Sequence, residues 1–443
     1  MRTPRIARVV GAAVIAGTTQ CVPPANAVAP PPIDSTRLPS PAPAAPAHRT
    51  LQRAVCTVPT LDPGLVPTQL DGLDLPAVWA LARGAGQRVA VIDTGVTPHR
   101  RLPALVGGGD YVSTGDGTQD CDGHGTLVAG IIGAAPDPGA DRFSGIAPLA
   151  TLIGIRQSSN RFGAADGPPG VGDVETLAKA VRTAADLAAS VINISSVACR
   201  PVGSGLDDRA LGAALAYAVE VKDAVVVAAA GNADDGCAAG EPMIVSPAWY
   251  DDYVLTVGSV DAHGAPSAFT RAGPWVDVAA PGEAVLSLST VGDAMATATG
   301  GTSFAVPVVS GLAALIRSRH PDWTPRQVMD RIKATAHHPP GGRDDFVGAG
   351  VIDPLAAVGS EAPGPVKPAT SAPIIAPAEP APEPTVSGLR AAGTGTAVLL
   401  VVLLASITGR VVAGIRRRRP TGPAAVPAAD RPAARPASAT GPR

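Results

Sequence analysis

Three short segments contain the residue types that nucleophilic catalysis by a serine needs. Asp93 ends an apolar run in V-I-D-T-G, His124 lies between two glycines in D-G-H-G-T-L-V-A-G, and Ser303 stands in G-G-T-S-F-A-V-P. A serine hydroxyl is a weak nucleophile until a neighbouring base takes its proton, and histidine has a pKa suited to that task. A carboxylate can hold the imidazole in one tautomer and stabilise its cation. The three residues therefore predict a hydrolase with Ser303 as nucleophile, His124 as base and Asp93 as its partner.

The serine precedes an apolar stretch, Val306–Ile316, that predicts a long helix. At a helix N-terminus, Ser303 gains the positive end of the helix dipole and a free backbone N–H for a developing oxyanion. Gly300 and Gly301 lack side chains, which lets a substrate backbone approach closely.

The elements that must position these residues form a βαβ pattern. Apolar runs of strand length, typical of strands covered on both faces, occur at Val89–Ile92, Leu152–Ile155, Val191–Ile194 and Ala224–Ala228. Helical spacing of apolar residues over 174–189 and 206–222 predicts helices between the later strands. Alternation of this kind predicts an α/β protein with a parallel sheet, whose strand ends and helix N-termini meet at one edge.

The three segments, in the order Asp, His, Ser, resemble the signature motifs of the subtilase family of serine proteases, including Pro307 after the serine. A fourth match is A-A-G-N at 229–232. The resemblance covers about Asp71–Pro354. It implies a subtilisin-like three-layer fold with a mainly parallel central sheet covered by helices, and it implies that Asn232 supplies the side-chain half of the oxyanion hole.

Each of these residues also has an ordinary structural interpretation. Asp93 could cap a helix or turn, His124 could be a satisfied core histidine, Ser303 could be an N-cap and Asn232 a turn residue. Any one interpretation is reasonable alone. Together they require four coincidences in the right order, so the catalytic interpretation is favoured.

The resemblance also implies which residues form the substrate-binding wall, and at this wall the sequence departs from the family pattern. Subtilases follow the strand matching 191–194 with a Leu-Gly segment that pairs with substrate, whereas this chain has S-S-V-A-C. The implied substrate contacts are Ser195, Ser196, Val197, Ala230 and Gly231. Because Val197 replaces a glycine at the S1 pocket, we expect a selective enzyme with low general proteolytic activity.

Four cysteines remain once a signal peptide is removed, namely Cys56, Cys121, Cys199 and Cys237. An even number suits an oxidising location, and three pairings are possible. We favour Cys199–Cys237, because both follow sequential strands of one βαβ unit, and hence Cys56–Cys121. The chain contains no C-x-x-C spacing and no EF-hand loop, so we predict no metal site and no cofactor, with calcium left open.

Both ends of the chain contain patterns typical of membrane signals. Basic residues, a short apolar run and A-N-A at 25–27 predict a cleaved signal peptide; an uncleaved anchor or a lipoprotein site at Cys21 are weaker interpretations. Near the C-terminus, an uncharged stretch is long enough to span a bilayer, and Arg410 and Arg416–Arg419 follow it. The positive-inside rule places that end in the cytoplasm and the bulk of the chain outside.

Length and composition divide the chain into one large domain with appendages. A chain of 443 residues exceeds what a single core usually fills, and Pro-rich stretches flank the βαβ region. A net charge of −2 argues against nucleic acid as a partner. We expect this order: signal peptide 1–27, Pro-rich N-terminal extension 28–70, catalytic domain 71–356, Pro-rich linker 357–390, transmembrane helix 391–412 and cytoplasmic tail 413–443.

The appendages together resemble the mycosins, which are membrane-anchored subtilases associated with type VII secretion. This resemblance implies an extracytoplasmic endopeptidase that cleaves a secreted protein or peptide, contacts the type VII secretion membrane complex and enters the lipid bilayer through one C-terminal helix. The alternative function is a structural subunit of that complex in which catalysis is dispensable. A stalked esterase is a weaker third hypothesis, because no G-x-S-x-G elbow surrounds the serine.

Overall fold

The computed structural model describes residues 29–58, 69–233, 237 and 242–359. The predicted signal peptide, most of the predicted linker, the predicted transmembrane helix 391–412 and the tail lie outside these ranges. Among the described residues, no helix has both the length and the apolar character needed to cross a membrane.

Along the described part of the chain the strands are β1 Thr50–Gln52, β2 Arg88–Asp93, β3 Leu105–Asp110, β4 Thr151–Arg156, β5 Phe162–Ala164, β6 Val191–Ile194, β7 Ala198–Pro201, β8 Val225–Ala229, β9 Met243–Ser246, β10 Leu255–Val260, β11 Val278–Pro281, β12 Glu283–Leu288 and β13 Met295–Gly300. The α-helices are α1 Leu75–Trp79, α2 His124–Gly133, α3 Val174–Asp186, α4 Arg209–Ala216, α5 Thr302–Arg319, α6 Pro325–Thr335 and α7 Pro354–Gly359. Short 3-10 turns occur at Ser35–Arg37 and Asp71–Leu73, and α4 continues into a π-helical turn, Tyr217–Val221.

Seven strands form a parallel sheet in the spatial order β11-β10-β8-β6-β2-β4-β3. Strand β2 lies inside the sheet, next to the middle strand β6; its Ile92 lies opposite Ile155 of β4 on one side and Ile194 of β6 on the other. These three isoleucines are fully buried, as the continuous apolar runs in the sequence predict. The subtilisin-like α/β fold with a mainly parallel sheet is thereby confirmed.

Helices cover the sheet in two groups. One group is α2 and α5, which pack against each other and on β2; the other is α3 and α4, of which α3 packs on β2, β4 and β6. Since the apolar residues of β2 are buried on both faces, the sheet is the middle of three layers. A capping box fixes the start of α3, because Asp173 accepts from the Thr176 N–H while Thr176 reaches back to the Asp173 N–H.

Three antiparallel pairs lie outside the main sheet: β1 with β5, β7 with β9, and β12 with β13. The pair β1–β5 joins the N-terminal extension to a loop after β4. There Arg53 and Ala54 both donate backbone hydrogen bonds to the Arg161 carbonyl, continuing the attachment beyond β1. This part of the extension is therefore fastened to the catalytic domain by backbone hydrogen bonds.

Candidate active site

The fold brings the three predicted catalytic residues into one hydrogen-bonded chain. Asp93 is the last residue of β2, His124 the first residue of α2 and Ser303 the second residue of α5. His124 Nδ1 lies 2.7 Å from Asp93 Oδ1, and His124 Nε2 lies 2.9 Å from Ser303 Oγ. Both distances are those of good hydrogen bonds. The arrangement leaves Ser303 Oγ beside a base that is itself oriented by a carboxylate, which is the geometry of an activated nucleophile.

The carboxylate of Asp93 is held rigidly at the end of its strand. It is 3% exposed, and its Oδ1 also accepts from the Thr94 N–H at 2.7 Å. The Asp93 carbonyl accepts from the Gln157 N–H at 2.8 Å, which anchors the strand end to the neighbouring segment. The imidazole of His124 is about one third exposed and packs against Phe304, with ring centroids 4.8 Å apart. The Asp93 carboxylate is thus fixed by burial and hydrogen bonds, while the His124 ring remains accessible to a substrate.

The pKa of His124 is raised above its ordinary value. Burial by itself would lower this pKa, but the charge of Asp93 and its hydrogen bond to the ring outweigh that effect, with a further contribution from the charges of Asp120 and Asp122. Carboxylates placed in this way would stabilise an imidazolium formed when the ring takes a proton from serine.

Asn232 lies beside the serine with its amide orientation fixed. The backbone N–H and the hydroxyl of Thr302 both donate to Asn232 Oδ1, at 3.1 and 3.0 Å. Because the oxygen is engaged by these donors, the amide NH₂ points the other way. A Cβ atom placed on Gly301 would lie 3.0 Å from Ser303 Oγ and 3.6 Å from Asn232 Nδ2. Gly301 therefore leaves open the space between nucleophile and amide donor in which an oxyanion would form.

A cleft of about 490 Å³ contains the triad, and the predicted substrate residues Ser195, Ser196, Val197 and Gly231 line it. Ser195 is buried, and its hydroxyl accepts from Asn193 Nδ2 at 2.9 Å. The structure does not place Ala230 in the cleft wall. Its side chain is fully buried, and its N–H donates to the Val257 carbonyl at 3.0 Å.

Val197 lies beside Gly231 in the wall of the cleft. A Cβ on Gly231 would lie 3.4 Å from Val197 Cγ2 and 3.0 Å from Cys237 Sγ, and Gly231 has a φ of +93° that disfavours a side chain. Val197 and the Cys237 sulfur thus lie close to the Gly231 backbone in this part of the wall.

Several residues of the cleft were not found from the sequence. Thr57, from the N-terminal extension, lines it, and the Arg161 guanidinium donates to Thr57 Oγ1 at 2.8 Å. Asp122 and Asp173 also line it; Asp122 accepts from Ser159 Oγ and from the Asn160 N–H at 2.5 and 2.7 Å. The available signals were weak: Asp122 stands two residues before the histidine, and Thr57 follows a cysteine.

Disulfides join Cys56 to Cys121 and Cys199 to Cys237, the two pairs favoured from the sequence. The first ties the N-terminal extension to the loop that precedes His124, and the Thr57 N–H donates to the Cys121 carbonyl beside it at 2.8 Å. In the part of the chain that the structure describes, no three His, Cys, Asp or Glu side chains converge in a way that could hold a metal ion.

Comparison with known proteins agrees with this geometry. The Peptidase S8 (subtilase) family matches residues 84–350. The chain is 56% identical to Mycosin-4 of Mycobacterium tuberculosis over 449 residues, which cover 95% of this chain and 97% of that protein. A solved structure of the MycP3 protease from the type VII (ESX-3) secretion system is 44% identical, with a TM-score of 0.69 over 75% of this chain and 99% of that one. A chain of the periplasmic assembly from the ESX-5 inner membrane complex is 42% identical, with a TM-score of 0.71 over 80% of this chain and 100% of that one.

Proposed function

The chain belongs to the subtilase family of serine endopeptidases, and we propose that Ser303 is its nucleophile, His124 its general base and Asp93 the residue that orients the imidazole. The observation that carries this assignment is the continuous chain Ser303 Oγ–His124 Nε2–Asp93 Oδ1, with distances of 2.9 and 2.7 Å inside one cleft.

The proposed reaction follows from these positions. As Ser303 Oγ bonds to the scissile carbonyl carbon, its proton passes to His124 Nε2, and the carbonyl electrons move to the oxygen. The Asn232 amide and the Ser303 N–H donate hydrogen bonds to that oxyanion. Collapse breaks the C–N bond, and His124 gives its proton to the leaving amine. Water then attacks the acyl-enzyme with His124 again as base, which releases the new carboxyl terminus and restores the serine.

A fluorophosphonate probe tests the assignment without knowledge of the natural substrate. The probe phosphorus bonds to an activated serine oxygen, fluoride leaves, and the neighbouring base takes the proton. We expect the wild-type protein to be labelled and Ser303→Ala to be unlabelled. Ser318→Ala is the matched control, because Ser318 lies near the other end of α5 and its hydroxyl only donates to the Ala85 carbonyl. Labelling of Ser303→Ala at the wild-type level would exclude Ser303 as the nucleophile.

We further propose that the catalytic domain is extracytoplasmic and that the segment 391–412 anchors it in the cell membrane with the C-terminus in the cytoplasm. The apolar stretch, the arginines after it and the predicted signal peptide support this topology. A cysteine-reactive, membrane-impermeant reagent applied to intact cells tests it. A cysteine introduced at Ser438 should be protected, and one introduced at Ser371 should react. Reaction at both positions, or protection at Ser371 alone, would contradict the topology.

The proposed role is to cleave a secreted protein in support of type VII secretion, through contact with the secretion membrane complex. The likeness to a chain in the ESX-5 inner membrane complex supports this proposal and equally supports a second function, that of a structural subunit. A strain carrying Ser303→Ala separates the two when it is compared with a full deletion. If secretion survives in the Ser303→Ala strain and fails in the deletion strain, secretion requires the protein as a structural subunit. If secretion fails in both strains, it requires proteolysis.

A further inference from the structure

Helix α2, which begins with His124, has no side-chain cap at its own N-cap residue. That residue is Gly123, with a φ of +86°, so the first N–H groups of the helix must find acceptors elsewhere. Asp120, three residues earlier, supplies them. Its Oδ1 accepts from the Gly123 N–H at 2.7 Å, and its Oδ2 accepts from the Thr126 N–H at 2.8 Å. A carboxylate at this end of a helix also interacts favourably with the helix dipole.

Two threonines, Thr94 and Thr126, extend these contacts into a hydrogen-bond network centred on Asp120, which is called the brace below. Thr94 Oγ1 donates to Asp120 Oδ1 at 2.9 Å and accepts from the Gly125 N–H at 2.9 Å. Thr126 Oγ1 donates to Asp120 Oδ2 at 2.7 Å and accepts from the Thr97 N–H at 3.0 Å. Each hydroxyl receives a backbone N–H on its lone pair, so its single proton is free to go to the carboxylate. Asp120, Thr94 and Thr126 are all at most 9% exposed.

The brace connects the two segments whose spacing matters for catalysis. Thr94 directly follows Asp93 at the end of β2, and Thr126 follows His124 by two residues in α2. The segments touch at Gly125, where an added Cβ would lie 2.0 Å from the Gly95 carbonyl oxygen and 3.1 Å from Asp93 Cβ. The separation between strand end and helix start is therefore set by direct contact and by hydrogen bonds that meet at Asp120.

We propose that Asp120 is a positioning residue for the catalytic reaction, which acts through Thr94 and Thr126 to hold His124 against Asp93. The proposal rests on the catalytic roles assigned above. Asp120 makes no hydrogen bond to Ser303 or to the ring of His124, so its positioning effect acts through the two threonines, while its charge separately contributes to the raised pKa of His124. An error of about 1 Å in such geometry costs on the order of 100-fold in rate.

The test uses the full-length protein in detergent and the fluorophosphonate probe, with the saturating labelling rate kinact and the concentration for half-saturation KI measured separately. Thr126→Val keeps the shape of the side chain but removes the hydroxyl, and Asp120→Asn replaces an acceptor by a donor. We expect kinact to fall by about 100-fold in Thr126→Val, with KI unchanged, because this variant keeps the Asp120 charge and loses only alignment. Asp120→Asn also removes a charge that acts on His124, so its kinact should fall at least as far. Thr126→Ser restores the hydroxyl and should restore kinact.

Asp208→Asn is the matched control for loss of stability. Asp208 is 1% exposed and accepts from Ser246, Trp249 and Tyr250, and none of these four residues lines the cleft. Its kinact, corrected for the folded fraction from circular dichroism, should equal that of the wild type. A normal corrected kinact in Thr126→Val, an equal loss in Thr126→Ser, or an equal loss in Asp208→Asn would each overturn the proposal. If Asp120→Asn does not fold, the Thr126 pair decides. Failure of the proposed function can be distinguished from failure of this proposal, because the wild type itself would then not be labelled at Ser303.

Discussion

Replacing Asn232 by alanine should slow peptide hydrolysis by about 100- to 1000-fold, equivalent to a loss of about 3–4 kcal/mol of transition-state stabilisation. The structure places the Asn232 amide on one side of the space left open by Gly301, with Ser303 Oγ on the other. The oxyanion exists only after attack, so the loss should fall on kcat and leave KM nearly unchanged.

Asn232→Ala has a second consequence, because Oδ1 anchors Thr302 at the start of α5 through two hydrogen bonds. Removing both costs about 1–3 kcal/mol of stability. Asn232→Asp separates the two effects. It keeps an oxygen acceptor for Thr302 but replaces the NH₂ donor by a second oxygen that repels the developing charge. We therefore expect Asn232→Asp to be at least as inactive as the alanine variant and to unfold at a higher temperature.

Steady-state hydrolysis of a peptide chosen from a library supplies kcat and KM, and thermal unfolding supplies the stability of each variant. A fall in kcat of less than about 10-fold in Asn232→Ala would contradict the reasoning, because mutation of an oxyanion donor costs at least ten times more than that. The oxyanion would then be stabilised by other donors, and the fixed orientation of the Asn232 amide would serve only to hold Thr302.

Three further predictions concern pH, specificity and stability. The pKa of His124 is raised, and only the neutral ring can accept the serine proton. We therefore expect kcat/KM to fall as the pH drops, with a midpoint above the ordinary histidine pKa of about 6.5. A midpoint below that value would contradict the assignment. Val197→Gly should admit larger side chains at the residue preceding the cleaved bond, and an unchanged cleavage profile of a peptide library would show that Val197 does not limit the pocket. The double substitution of Cys56 and Cys121 by serine should lower the free energy of unfolding by about 4 kcal/mol, because the bridge closes a loop of 65 residues. Equal denaturation midpoints for the variant and the wild type would show that the bridge adds no stability.

The central strands could be predicted to within one residue because their sequences leave little choice. Continuous apolar, β-branched runs such as Val225–Val227 are typical of strands buried on both faces, and the structure has β8 at those residues. The strand β3 has the sequence L-V-G-G-G-D, which is not typical of a strand. Its glycines are required by tertiary contacts: a Cβ on Gly108 would lie 2.6 Å from Ile153 Cγ2 and from Ile155 Cγ1. Close approach to the neighbouring strand overrides propensity there, and no local pattern reports it.

The proposed catalytic residues and the remainder of the cleft also differ in how far the sequence predicts their positions. Asp93, His124 and Ser303 stand at ends of elements that the sequence itself defines, so their meeting could be inferred from topology. Thr57 reaches the cleft only because β1 pairs with β5 and because a disulfide holds Cys56, both of which are contacts between distant parts of the chain. Its role could not be predicted from a Pro-rich segment with no periodicity.

The loop 120–124 is where these long-range contacts act on the chemistry. Asp120 links the start of α2 to Thr94 after β2, Cys121 is bridged to the extension, and Asp122 accepts from the hydroxyl of Ser159 and the N–H of Asn160 in a neighbouring loop. Three successive residues thus connect the base His124 to three separate segments. Because each connection restrains the same short loop, an effect of the N-terminal extension that acts through the Cys56–Cys121 bridge should change the alignment of His124 and appear in kcat. An effect that appeared only in KM would instead act through Thr57 on the cleft wall.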